Sequence, residues 1–230
     1  MTPDGLRRAG QAMAYWERRQ EAVSHNLANA STPGFRGERV FARMLEGMAP
    51  EAHARTDLRP GTVSATGRAL DLALGPQGFL VLETPAGERW VRGGSFALDP
   101  ERRVVDAEGH LLLGTGGPIV LPEGELEVSS QGEILVSGEL VDVLRVEAPG
   151  DAPLLEREAG GRFIPSPGGA PVPPEEVRVR SQHLEESNVE PVAALVEMIE
   201  IQRSYATLQR SIHVMDEVLG TIANQLGRVD

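Results

Sequence analysis

The chain has 230 residues, 40% of them hydrophobic, a formal net charge of −12 and no cysteine. Without thiols there are no disulfide staples, thiolate nucleophiles, iron–sulfur sites or Cys-type zinc sites. All 22 basic residues are arginine, which excludes lysine-dependent P-loop, Schiff-base and Ser-Lys chemistry. The acidic balance opposes nucleic-acid binding, which needs a basic footprint, and no window approaches the run of about 18 apolar residues that spans a membrane.

The N-terminus, Met1 to Gly5, lacks the basic-then-apolar layout of a secretory signal. Residues 3 to about 30 instead follow a helical rule. Leu6, Ala9, Met13, Trp16, Gln20, Val23 and Leu27 step alternately by three and four, the seam spacing of a coiled coil. Thr2 is the expected N-cap, with Pro3 at the first helical position and Asp4 at the positive end of the dipole. Ser31-Thr32-Pro33-Gly34 is the stop signal: Pro33 cannot continue the ladder and Gly34 permits a left-handed turn. Residues 46–61 read as an extended connector.

From 62 to about 180 the signals are those of short strands and turns. Phe79–Leu82 and Trp90–Arg92 flank a turn at 85–88, and Ser95–Leu98 and Val104–Val105 flank another at 99–102. Further strands are expected at 111–113, 119–121, 126–128, 134–136 and 140–144. Glycine every eight to twelve residues suggests an antiparallel sandwich or irregular barrel. Aromatics are only 4%, so a mainly aliphatic core is expected. The Pro/Gly-rich stretch 165–174 reads as a loop.

The C-terminal pattern is stricter. Ala194, Met198, Ile201, Tyr205, Leu208, Ile212, Met215, Leu219, Ile222 and Leu226 alternate in steps of four and three, while Val192, Leu195 and Ile199 widen the stripe. Ser187 and Glu190 have capping-box spacing, and Pro191 falls in the first turn. The predicted helix is roughly 55–60 Å long and should project. The fold expected is therefore α+β. Residues 1–45 and 181–230 supply long terminal helices that pair as a coiled-coil-like domain, and 62–180 form a central, mostly antiparallel β domain.

A search for chemistry finds no active site. His25, His53, His110, His183 and His213 show neither i, i+4 metal spacing nor a HExxH context and read as scattered surface residues. Gly114 to Pro118 lacks the third glycine of a dinucleotide loop and precedes a strand-like run, so it reads as a turn. Glu123-Gly124-Glu125 and Glu185-Glu186 read as surface carboxylates without EF-hand spacing. Nothing places Asp71 and Asp99 together, and both sit at turn-like positions. No catalytic, cofactor or metal residue is assigned. A cell-wall-processing enzyme on the β domain stays as the alternative of another class, and it requires converging carboxylates about 5–9 Å apart in a cleft.

The run Ser24-His25-Asn26-Leu27-Ala28-Asn29-Ala30-Ser31-Thr32-Pro33-Gly34-Phe35-Arg36 closely resembles the signature of the bacterial flagellar rod and hook proteins. Thr66 to Leu74, Gly78 to Val81, Arg92 to Leu98, Gly109 to Gly114, Ser187-Asn188-Val189 and Met198 to Tyr205 follow in that family's order. The short connector after Arg36 is most like its proximal-rod members, with the distal rod or another hook-type axial protein as the alternative. The resemblance implies a non-enzymatic subunit without cofactor, stacked helically to transmit torque and enclose the export channel. It further implies export through the flagellar type III apparatus without cleavage, a place in the periplasmic basal body, and partnership with its own copies and other rod proteins. The candidate assembly residues on the first helix are Leu6, Met13, Trp16, Val23 and Leu27, followed by Asn26, Asn29, Thr32, Pro33, Gly34 and Phe35 around its end. Those on the second helix are Met198, Ile201, Tyr205, Leu208, Ile212, Met215, Leu219, Ile222 and Leu226.

Overall fold

Helix α1 runs Pro3–Ala28 and helix α2 runs Pro191–Leu226; between them lie short strands in a computed structural model that describes residues 3–43, 51–75, 78–150 and 155–226. Thr2, the expected cap, lies outside the described residues. The chain forms two compact units. One comprises Met1–Ala28, Glu38–Asp57 and Glu190–Asp230; the other comprises Asn29–Gly37 and Leu58–Val189.

In the helical unit, α2 begins at Pro191, where a missing N–H costs nothing, and its 36 residues give a length of about 54 Å. The two helices touch through polar and apolar groups. Arg19 Nε donates to Glu197 Oε1 at 2.8 Å, and the Tyr205 hydroxyl donates to Glu17 at 3.0 Å. Because the partner number falls from 205 to 197 as α1 advances from 17 to 19, the helices run antiparallel here. Ala22, Val23, Ala194 and Ile201 are buried. The stretch 46–61, read above as an extended connector, is partly strand: Glu51–Thr56 pairs antiparallel with Glu38–Arg43, placing Glu38 opposite Thr56. Cross-strand stacking of Phe41 on His53, ring centroids 6.0 Å apart, supports this hairpin.

Every strand pairing among the described residues is antiparallel. The largest sheet of the β unit has eight strands around Phe79–Thr84, which pairs with Gly87–Val91, Leu111–Gly114 and Val146–Ala148. A three-stranded sheet joins Leu126–Val128, Glu133–Val136 and Glu139–Val143, and another joins Val179–Ser181, Asp71–Leu74 and Gly93–Ser95. Side chains from all three meet in one core that includes Leu72, Leu80, Leu112, Ile134 and Val179.

Two further expectations change. The 119–121 run is not a regular strand: Val104 N–H bonds Ile119 O, while Leu121 N–H bonds Arg102 O and only Val120 bridges Arg103. Its backbone bonds are divided between two neighbours, since Ile119 N–H turns to Leu112 O at 3.1 Å, yet Ile119 and Leu121 are still buried. Residues 183–185, assigned above to the C-terminal helical part, form a strand against Val63–Ala65. The core is mainly aliphatic, as expected, and Phe35, Phe79, Trp90, Phe96 and Phe163 are buried in this unit as well. Phe79 stacks on Trp90 at 5.5 Å, and the Trp90 indole N–H donates to Glu147 at 2.9 Å.

Leu80 is fully buried and Leu140 is 60% exposed. Leu80→Ala should cost about 2–5 kcal/mol, whereas Leu140→Ala should stay within about 0.5 kcal/mol. Urea melts that show a lower midpoint at unchanged slope for Leu80→Ala alone would check this contrast.

Candidate functional site: the junction after the first helix

Helix α1 stops at Ala28, two residues before its periodicity lapses, because Thr32 N–H turns back to Asn29 O at 3.1 Å and Phe35 N–H to Thr32 O at 3.2 Å. Pro33 has no N–H to offer a helix. Gly34 adopts φ +69°, a left-handed conformation open to glycine at little steric cost, and donates to Glu185 O at 2.6 Å. The Asn29 side chain accepts the Thr32 hydroxyl at 3.2 Å. Asn26 instead clamps the chain beyond the junction. Its Nδ2 donates to Glu38 O and its Oδ1 accepts Glu38 N–H, both at 2.8 Å.

Phe35 is wholly buried, with the Arg157 guanidinium carbon 3.9 Å from its ring centroid. Arg36 forms an ion pair with Glu185, and each side chain is only 1% exposed. Glu185 Oε1 also accepts Gly61 N–H at 2.8 Å, and its other oxygen lies 4.0 Å from Arg92. A Cβ at Gly61 would fall 2.0 Å from Glu186 O, so this close approach needs glycine. Arg92 donates to Gly75 O and Gly78 O. Burial first, and then repulsion from Arg36, lower its pKa to about 10 against the opposing pull of Glu185. Asn188 completes the junction: its Oδ1 accepts Gly37 N–H at 2.7 Å, its Nδ2 donates to Arg59 O at 2.9 Å, and its N–H donates to Phe35 O at 3.2 Å.

The predicted residues thus fall into distinct settings. Gly34, Phe35, Val23 and Ile201 are buried inside the chain; Met13, Trp16, Asn26, Leu27, Asn29, Thr32, Met198, Tyr205, Leu208 and Ile212 are half-buried; Pro33 and Met215 are exposed. The side chains of Leu6, Leu219, Ile222 and Leu226 lie outside the described residues. Arg36, Gly61, Arg92 and Asn188 were not singled out as site residues. Arg36, Arg92 and Asn188 stood inside quoted motifs, but the partners of Arg36 and Asn188 are more than 125 residues away in the chain. Glu185, read above as a surface carboxylate, is instead a buried ion-pair partner.

On α2, Val192, Leu195, Val196 and Ile199 are 67%, 47%, 52% and 50% exposed. Their i, i+3, i+4, i+7 spacing puts them on one stripe. Ala194 and Ile201, on the opposite side of the same turns, are buried. The start of α2 is therefore apolar on two faces, and this chain covers one.

The enzymatic alternative finds no support at its named residues. Asp71 is buried with Arg68 at 3.7 Å, and Asp99 accepts Arg103 Nε at 2.6 Å within its own turn. Of the histidines, His110 is half-buried against Asp106 at 3.0 Å, and His183 contacts Ser181 O at 2.7 Å. Among the described residues no group of three or more His, Asp or Glu is placed to hold a metal, and no described helix is long and apolar enough to cross a membrane.

Two family models match the chain at its ends: flagella basal body rod protein over residues 6–36, and flagellar basal body rod FlgEFG protein C-terminal over residues 180–226. The flagellar basal-body rod protein FlgF of Salmonella typhimurium is 33% identical, with 90% of this chain and 91% of that one covered. The chain belongs to the flagellar basal-body rod protein family. FlgF of Escherichia coli gives the same identity and coverage, and FlgF of Caulobacter vibrioides is 26% identical over 93% of this chain and 94% of its own. The two matched stretches contain both halves of the junction, with Arg36 in the first and Glu185 and Asn188 in the second.

Breaking a buried ion pair by removing one partner costs about 3–5 kcal/mol. Glu185→Gln should therefore destabilise the chain by that order, and the double variant Arg36→Met/Glu185→Leu by less than the sum of its single changes in a double-mutant cycle. Asn188→Ala should cost about 1–3 kcal/mol and accelerate hydrogen exchange at Gly37, while Asn188→Asp should keep Gly37 protected because its acceptor oxygen remains.

Proposed function

We propose that this chain is a structural subunit of the flagellar basal-body rod, of the proximal type, assembling through its terminal helices. Family membership supports the class, and the two-faced apolar start of α2 carries the mechanism. In this reading α1 and α2 pair as a coiled-coil-like layer along Met13, Trp16 and Val23 against Ile201, Tyr205 and Leu208. The second stripe of α2, Val192 to Ile199, then meets the helices of neighbouring copies or related rod proteins. Burying four half-exposed aliphatic side chains gains several kcal/mol per contact, at about 25 cal/mol per Å² of apolar area, before the cost of association. Heterologous contacts of this type propagate into an open helix, which suits a rod that transmits torque around an export channel. Passage through the flagellar type III apparatus without cleavage, and residence in the periplasmic part of the basal body, belong to the same reading, as does the non-enzymatic role. A chain free of cysteine suits an oxidising compartment.

The decisive variant is Leu195→Arg/Ile199→Glu, which places charge on the uncovered stripe. Its melting temperature should match the parent's, since exposed positions are being changed. Sedimentation at high concentration should show loss of self-association, and cells carrying it as their sole copy should build no complete rod and not swim. Normal rods and swimming with this variant would overturn the proposed interface.

A further inference from the structure

Next to the buried Arg36–Glu185 pair lies a cavity of about 290 Å³ in the β unit, with Arg36 and Arg92 on its polar side and Leu58, Phe79, Ala148 and Pro149 on its apolar side. Among the described residues, the charges around it do not balance. Two guanidinium groups, each at least nine-tenths buried, face one carboxylate, Glu185. Both arginines keep an Nε–H without a hydrogen-bond acceptor, although Arg92 spends its Nη groups on the carbonyls of Gly75 and Gly78. Buried donors are normally paired, and a buried charge is tolerated when it is compensated. Glu185 Oε2 has no hydrogen-bond partner either, so among the described residues these donors are short of one negative charge placed to accept them. The apolar lining would suit a short hydrocarbon stem, and the volume is several times the roughly 30 Å³ share of one water.

We propose that this cavity receives a single aliphatic carboxylate, the group carried by an aspartate or glutamate side chain and by small free acids. The carboxylate accepts the Nε–H groups of Arg36 and Arg92, restores charge balance beside Glu185, and rests its stem on Leu58 and Phe79. A bidentate or paired guanidinium contact favours carboxylate geometry, and the apolar wall disfavours a compact, fully hydrated anion such as chloride.

The test follows the arginine Nε–H signals of the full-length ¹⁵N-labelled chain during titration with sodium butyrate, n-butanol, butylammonium chloride and the peptide acetyl-Ala-Glu-Ala-amide, at matched ionic strength. Butyrate should shift the Arg36 and Arg92 Nε–H signals saturably, while butanol and butylammonium should leave them in place. The peptide separates the sources: tighter binding than butyrate assigns a protein side chain, and no binding beside a saturable butyrate shift assigns a free acid. Arg36→Gln should weaken butyrate binding at least about tenfold. Ala148→Leu, which fills the apolar side and leaves every charge in place, should do the same with the arginine signals still dispersed, so a folding failure of Arg36→Gln does not decide the matter. Absence of a saturable shift, or equal shifts with chloride alone, would overturn the proposal.

Discussion

The structure of the β unit depends on one buried charge contact, between Arg36 and Glu185, and on the backbone bonds that surround it. The segment that leaves α1 and the segment that leads into α2 meet here: Gly34 donates to Glu185 O, Asn188 donates to Phe35 O, and Gly37 donates to the Asn188 side chain. An ion pair out of water is favourable only when its remaining polar atoms are well placed. This makes it a poor source of net stability and a strict selector of geometry. Any alternative register of 34–37 against 185–188 would leave a guanidinium or a carboxylate buried alone. The two stretches that flank the helices are consequently held in one arrangement.

That arrangement divides labour by side-chain type. The β unit takes most of the scarce large rings, stacking Phe79 on Trp90 and burying Phe35, Phe96 and Phe163, so it closes its core internally. The helices hold mostly aliphatic positions on more than one face. A two-helix layer cannot cover every apolar face of a long helix, and the uncovered stripe from Val192 to Ile199 is the direct result. A closed core and an uncovered apolar stripe thus coexist in a single chain because they draw on different residues.

Charge reinforces this division. Between Arg103 and Arg145 the chain carries eight acidic residues and no arginine. Six of them, from Glu123 to Asp142, sit on or beside the three-stranded sheet of 126–143. A surface of one sign repels another like it, and Leu140 stands exposed within it. Within the helical unit, Arg19–Glu197 pairs opposite charges between α1 and α2, and the Tyr205 hydroxyl donates to Glu17.

The two helices, the junction after the first, the 79–91 hairpin and the antiparallel character of the middle were legible in the residues. These features depend on local rules: apolar spacing, proline and glycine stops, and turn chemistry between apolar runs. The hairpin of 38–56 was missed because its strands are polar and alternate weakly, so pairing and contact with α1 decide it. The strand at 183–185 was missed because its identity comes from a partner near residue 64. Glu185 looked like any surface carboxylate, and its burial follows from an arginine 149 residues earlier that only folding brings to it. The sequence by itself determined where the chain is helical, where it turns and which family it resembles, since those follow from neighbours within a few residues. Tertiary structure alone decided which apolar stripe of α2 is covered and which charges are buried together, because both depend on surfaces that the chain brings together from distant positions.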